Sequence, residues 1–324
     1  MWVAAALLFI QPAAEADPIA DLIAAQSPAA GGEPHDGCSG EFIEGGLLAC
    51  NWGVPVRVRL GDETITSDDD GWVLIGIPRQ APEQMSFSVE AVNASDFVRI
   101  EEVRDIAQRE YRLQRVNGVP QSTVTPDPST LPRRQREYAQ KQDAFNSTWD
   151  GQGFLDGFII PAEGIETGVY GSARIYNDGS ERGVHWGLDR ANDEGTPVVA
   201  PAEGLVTLAE PDMYYEGGLI LIDHGQGLVS AFLHLSGVEV EAGQRVEQGE
   251  LIGAIGSTGR STGPHLDWRV KLRNQFYVDP ALLLELALDA FVRDLEQYPL
   301  QRVPRHHVTL EQTHQFECLP SPRA

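Results

Sequence analysis

Residues 217–236 read GGLILIDHGQGLVSAFLHLS, and this stretch decides the fold. Two apolar runs, at 219–222 and 228–235, flank the turn-forming DHGQG at 223–227, which is the signature of a β-hairpin. Further strands are expected at 238–240 and 251–255. Ala242-Gly243 and Gln248-Gly249 separate them, so residues 151–285 read as a compact antiparallel β domain. A helix is expected from about 280 to 296, and the remainder of 286–324 reads as its end and an irregular tail.

Upstream, residues 38–113 alternate short β-prone runs (VRVRL at 56–60, WVLI at 72–75) with turn clusters such as SDDDG at 67–71. A small β-sandwich is the natural packing for that pattern, and the fold class is mainly β. Between the two lie residues 114–150, where Pro120, Pro126, Pro128 and Pro132 predict an extended linker that separates two units. A charged helix over 133–143 follows, with polar faces that suit a strut better than a core. Residues 17–37, rich in Ala, Pro, Gly and acids, read as a disordered leader.

Residues 1–16 join an apolar run at 2–10 to Ala14-Glu15-Ala16, which reads as a signal peptide with a small-x-small cleavage site. A basic n-region is absent, so a buried N-terminal helix stays open as an alternative. The run is too short to serve as a stable membrane anchor, and the protein is expected in the periplasm or outside the cell. Of three cysteines, Cys38 and Cys50 are spaced so that an exported chain can close them across a hairpin, leaving Cys318 odd. The 324 residues carry 24 basic against 48 acidic side chains, a net charge of −24. That balance excludes an electrostatic grip on nucleic acid.

Three fragments carry chemistry. VHWGLD at 184–189 places His185 and Asp189 four apart, and either can donate to a metal; alone, it reads more simply as a hydrogen-bonded pair. GPHLDW at 263–268 places His265 and Asp267 on one face of a strand, where they can converge on one ion. FLHLS at 232–236 sets His234 in an apolar strand, where the simple reading is a satisfied core histidine. His224 sits in the hairpin turn and reads as structural, and His306, His307, His314 and Cys318 read as a solvated tail.

The order of these fragments, with the Gly-rich IGSTGRSTG at 255–263 leading into the second, closely resembles the lysostaphin/LytM zinc metallopeptidases over about residues 165 to 282. The resemblance also runs through Tyr170-Gly171, the TPVVAP strand at 196–201 and DHG at 223–225. It implies a LytM-like catalytic domain in which His185 and Asp189 bind zinc, His265 is catalytic and His234 is its partner. Where the family has H-x-H, this chain has H-x-D, so the third ligand is expected to be Asp267. Counting ligands alone, that exchange takes the formal charge at the ion from +1 to neutral, weakens the Lewis acid, and admits Mn²⁺ beside Zn²⁺. By the same reasoning Asp267→Ala is expected to lose metal and activity, and Asp267→His to keep both.

The implied activity is a secreted one-zinc endopeptidase cutting peptide cross-links of bacterial peptidoglycan, with the stem peptides as partners. The alternative is a non-catalytic LytM-like regulator that binds the wall or activates an amidase. Arg174, Asn177 and Tyr214 are candidates for the substrate groove, although a surface turn serves Tyr214 equally and a surface pair is the default for Arg174 and Asn177.

Overall fold

A computed structural model describes residues 37–92, 99–176, 179, 181–286 and 288. The expected signal peptide, nearly all of the leader, most of the tail with His306, His307, His314 and Cys318, the C-terminal part of the expected helix at 280–296, and Asn177 lie outside the described residues. Among those residues no helix is long and apolar enough to cross a membrane.

The first part carries β1 (Cys38–Ser39), β2 (Leu47–Asn51), β3 (Val56–Leu60), β4 (Glu63–Thr66), β5 (Trp72–Gly76), β6 (Gln84–Ala91) and β7 (Ile100–Asp105). They form two sheets, ordered β1-β2-β5 and β4-β3-β6-β7. In β3 the burial alternates strictly, with Val56, Val58 and Leu60 inside and Arg57 and Arg59 outside, as a sheet with one solvated face requires. Strands β2 and β5 are instead buried at every position. Their alternation splits two ways: Leu48, Cys50, Val73 and Ile75 face the second sheet and close the sandwich. Leu47, Ala49, Trp72 and Leu74 enter the core of the downstream β domain. A continuous apolar run of this kind belongs to a strand covered on both faces. Cys38 and Cys50 stand opposite each other in register and are joined by a disulfide.

The linker expected between two separate units therefore does not hold them apart, because one sheet serves both cores. The seam is also hydrogen-bonded. Gln226, in the hairpin turn, accepts from the Leu74 backbone at 2.9 Å and donates to the Trp72 carbonyl at 2.9 Å, and Arg273 donates to the Leu74 carbonyl at 2.9 Å.

After β8 (Leu113–Val116), the proline-rich stretch is not extended throughout. It contains the single turn α1 (Gln121–Val124) and a 3-10 turn at Pro128–Thr130, which the Asp127 side chain caps by accepting from the Ser129 N–H. Helix α2 (Leu131–Phe145) then begins with Pro132 in its first turn, where a missing N–H costs nothing. It is more than a strut, since Ala144 and Phe145 pack on Leu208, Leu219, Val229 and Leu233 of the main sheet.

The downstream domain holds β9 (Ile165–Gly168), β10 (Ala173–Tyr176), β11 (Glu181–Val184), β12 (Gly187–Ala191), β13 (Pro197–Val199), β14 (Gly204–Met213), β15 (Gly217–Asp223) and β16 (Leu228–Leu235). It continues with β17 (Gly237–Val238), β18 (Arg245–Val246), β19 (Leu251–Ala254), β20 (His265–Leu272) and β21 (Phe276–Val278). The main sheet runs β18-β14-β15-β16-β20-β12-β9, with β21 paired to β20, and the β15–β16 hairpin sits at its middle as the sequence leads one to expect. Strand β8 pairs parallel to β10, which brings the upstream segment against the wall of the site described next. Helix α3 (Pro280–Leu283), capped by the Asp279 side chain, is the last element, and Leu286 and Leu288 beyond it join the core.

Candidate metal centre

Strand β20 presents His265, Asp267 and Arg269 on one face, while Leu266, Trp268 and Val270 on the other are buried in the core. Its neighbour β12 sets Asp189 directly opposite Asp267. Two buried carboxylates facing each other across adjacent strands repel, so the site must gather positive charge.

Part of that charge comes from two arginines. Arg174, on β10, donates to Asp189 Oδ2 at 2.8 Å, and Arg269 grips Asp267 through Nε and Nη2 at 2.5 to 3.1 Å. The rest is gathered at His185, which follows β11 and is locked by backbone bonds to Ser172 and Gly171. Its Nδ1 lies 3.2 Å from the Val169 carbonyl and donates there, so Nε2 turns toward the carboxylates. Nε2 is 2.9 Å from Asp189 Oδ1 and 3.4 Å from Asp267 Oδ1.

Neither His185 Nε2 nor Asp189 Oδ1 has a hydrogen-bond partner, although both are buried. Buried polar atoms left without partners are costly, and three lone-pair donors aimed at one point are what a cation satisfies. Among the described residues, His185, Asp189 and Asp267 each offer a ligand atom, all within 4.8 Å of one another. One imidazole nitrogen and two carboxylate oxygens suit a divalent ion such as zinc. The electrostatics agree. Burial depresses His185, but Asp267 and Asp189 outweigh it and raise its pKa, so this point favours positive charge. Burial would raise Asp267, yet Arg269 and His185 hold its carboxyl well below the usual range. Asp189 is raised by burial and by Asp267, and His185 and Arg174 more than offset both.

Counting only ligands led to a neutral, weakened site. With Arg174 and Arg269 behind the carboxylates, the five side chains sum to zero with His185 uncharged, and a dication would keep its full positive field. Arg269 also alters the expected exchange at 267, because a histidine there would leave the guanidinium without its acceptor.

Gly187 makes room for this arrangement. A Cβ at that position would lie 2.3 Å from Asp267 Oδ1 and 2.6 Å from the Trp268 carbonyl. Gly187→Ala is therefore expected to displace Asp267 and weaken metal binding by about 10- to 100-fold, the scale of a disturbed outer-shell partner. Competition with a chelating dye measures this; unchanged affinity would mean that the strand yields without moving the carboxylate.

Two further imidazoles stand beside the cluster, their ring centroids 4.9 Å apart. His265 Nδ1 donates to the Gly263 carbonyl at 2.8 Å and His234 Nδ1 to the Thr258 carbonyl at 2.9 Å. In both rings the Nε2 lone pair is thereby left free for chemistry. Burial pushes His234 down to about 4, so it is uncharged at neutral pH. His234, next to last in β16, has φ +67, a left-handed conformation that breaks the regular alternation of the apolar strand. Asp189, His234 and His265 share a cleft of about 340 Å³, lined also by Arg174, Arg260 and Gln114.

The other sequence candidates fall as follows. Arg174 reaches the site but is engaged with Asp189. Tyr214 is not brought to the cleft: its hydroxyl donates to the Ser122 carbonyl at 2.9 Å, and it is Tyr215 that lines the small pocket beside His234. His224 is held in the core between the Glu203 carbonyl and Ser230, both at 2.8 Å, and burial lowers it to about 4. Sequence reasoning overlooked Arg269, Arg260 and Gly187. The alternation that paired 265 with 267 extends to 269 and was the available signal for the first.

The sequence profile of peptidase family M23 matches residues 183–280, the span that holds all three prospective ligands and both imidazoles. The chain carries a peptidase family M23 domain. This is the lysostaphin/LytM type to which the motifs pointed. The M23 domain is similar to the DD-carboxypeptidase/endopeptidase Mpg of Neisseria meningitidis, 41% identical over 92 residues, which are 28% of this chain and 21% of that protein. It is similar to the peptidoglycan DD-endopeptidase ShyA of Vibrio cholerae, 40% identical over 91 residues, 28% of this chain and 21% of that one. The chain thus spans about a fifth of the length of these relatives. A solved structure, a putative M23 peptidase from Pseudomonas aeruginosa, is 28% identical with a TM-score of 0.56, covering 75% of this chain and 95% of that one. Three quarters of the chain exceeds the M23 domain, so this likeness extends into the β strands ahead of it.

Proposed function

We propose that this chain is an exported, zinc-dependent endopeptidase that hydrolyses peptide cross-links of bacterial peptidoglycan. The observation that carries the reading is the convergence of His185, Asp189 and Asp267, with their ligand atoms within 4.8 Å, where Asp189 lines a cleft that also holds His234 and His265. The M23 match and the printed activities of Mpg and ShyA support the substrate class. The Cys38–Cys50 disulfide supports an oxidising compartment outside the cytoplasm.

Three protein ligands are the number that catalytic zinc sites use, and the two oxygens also suit Mn²⁺. When bound, the ion supplies Lewis-acid polarisation of the scissile carbonyl and lowers the pKa of water. The remaining steps belong to side chains. Uncharged His234, its Nδ1 proton committed to Thr258, offers Nε2 as an acceptor for a proton from the attacking water. The His234 imidazolium formed in that step returns the proton to the leaving amine, while His265, oriented through Gly263 and lying at the cleft, offers a second Nε2 acceptor that orients the attacking water. Arg174 and Arg269 hold the two carboxylates in place throughout.

Purified full-length chain, loaded with zinc and incubated with sacculi, is expected to release uncross-linked glycan strands, and chelation is expected to stop the release. Stoichiometric metal with no release at any pH would defeat the endopeptidase reading in favour of a wall-binding regulator.

A further inference from the structure

Arg260 lines the same cleft. Its guanidinium carbon lies 5.4 Å from the centre of the Tyr176 ring and 5.1 Å from that of Tyr215. Among the described residues it makes no ion pair and no side-chain hydrogen bond. In a chain where 48 acidic side chains face 24 basic ones, an arginine left uncommitted in a cleft is unusual. Its two neighbours of like charge, Arg174 in the cleft and Arg269 in the small pocket beside His234, are taken up by Asp189 and Asp267.

Its position is fixed relative to the chemistry. The Thr258 carbonyl orients His234, and the Thr258 hydroxyl accepts from the Gly218 N–H and donates to the Leu235 carbonyl, both at 2.9 Å. Two residues on, the Arg260 N–H donates to the Tyr215 carbonyl at 2.8 Å. The loop that sets the imidazole therefore also sets the arginine. Two more polar atoms of the same cleft, Gln114 Oε1 and Arg174 Nε, are buried without hydrogen-bond partners. A cation spread over two aromatic rings keeps its charge and its planar row of N–H donors, a match for a carboxylate.

We propose that Arg260 is a subsite for a substrate carboxylate, so that the peptide cut here carries a free carboxylate close to the scissile amide. This rests on the endopeptidase reading and deepens it. The carboxylate has two sources, a C-terminal α-carboxylate or an acidic side chain within the peptide.

Three versions of one cross-linked peptide test this: unmodified, amidated only at the C-terminus, and amidated only at the side-chain acid. Calorimetric titration into the chelator-treated full chain measures binding without hydrolysis. One amidation is expected to weaken binding about 10- to 100-fold, the scale of charge-assisted hydrogen bonds, and identifies the source. Arg260→Gln is expected to bring the unmodified peptide down to the amidated level, and Arg260→Lys to retain part of the difference. Equal binding of all three peptides by the parent chain, or a preference that survives in Arg260→Gln, overturns the proposal. Selective binding by a chain that releases nothing from sacculi would defeat the hydrolase reading and leave Arg260's role standing. Cleavage of sacculi without selectivity would do the reverse.

Discussion

Asp267→Ala is expected to strip the protein of bound metal and to abolish hydrolysis of sacculi. The loss should exceed the roughly 10- to 100-fold that follows removal of an outer-shell partner, because a ligand oxygen disappears and Arg269 is orphaned at the same time. Retention of stoichiometric metal by Asp267→Ala, measured by elemental analysis, would exclude Asp267 as a ligand. The more instructive variant is Asp267→His, which a count of ligands alone expects to be silent. The structure argues otherwise. Breaking a buried ion pair on one side costs about 3–5 kcal/mol. Arg269, with 23% of its side chain exposed, falls below that range but still loses its acceptor. Asp267→His is therefore expected to bind metal more weakly than the parent chain and to melt lower. The double variant Asp267→His with Arg269→Glu should recover both, since a carboxylate at 269 shares the face of 267 and can accept from an imidazole N–H. Parent-like affinity in the single variant would show that the two positions are not coupled.

The second large effect concerns His265. Its replacement by alanine is expected to lower turnover by about 10²- to 10⁴-fold, the range for loss of a positioned acid or base, while metal content and melting temperature stay at parent values. His265 is a cleaner test than His234. His234 holds φ +67, and alanine in a left-handed conformation adds strain of its own, so that a loss of rate there mixes chemistry with backbone disturbance. Parent-like turnover in His265→Ala would remove it from the orientation of the attacking water.

Much of this was legible in the residues. The hairpin at 217–235 announced itself by two apolar runs around DHGQG, and strand alternation alone placed His265 and Asp267 on one face. The motif order, through a family resemblance, named the three side chains whose ligand atoms lie within 4.8 Å of one another and the two imidazoles that share a cleft with one of them, Asp189. Other features depend on neighbours that local pattern does not specify. Arg269 followed from the same alternation, but its meaning emerges only when β12 sets Asp189 against Asp267 and makes the charge surplus visible. Tyr215 and Tyr214 are adjacent and alike in sequence; which one faces the cleft is fixed by the hydrogen bond of Tyr214 to Ser122. The proline-rich stretch suggested a spacer because prolines deny long helices, yet Val119 and Val124 pack on Tyr176. LLACN and WVLIG carried a signal in their lack of polar alternation, since only strands covered on both faces read that way.

That doubly covered sheet governs how the molecule can be dissected. A fragment trimmed to the peptidase residues alone would strip Leu47, Ala49, Trp72 and Leu74 from the shared core and leave Phe154 without the Trp72 ring against it, an invitation to aggregate. The smallest piece worth expressing therefore starts near residue 37, and poor solubility of a shorter one would say nothing about its catalytic competence.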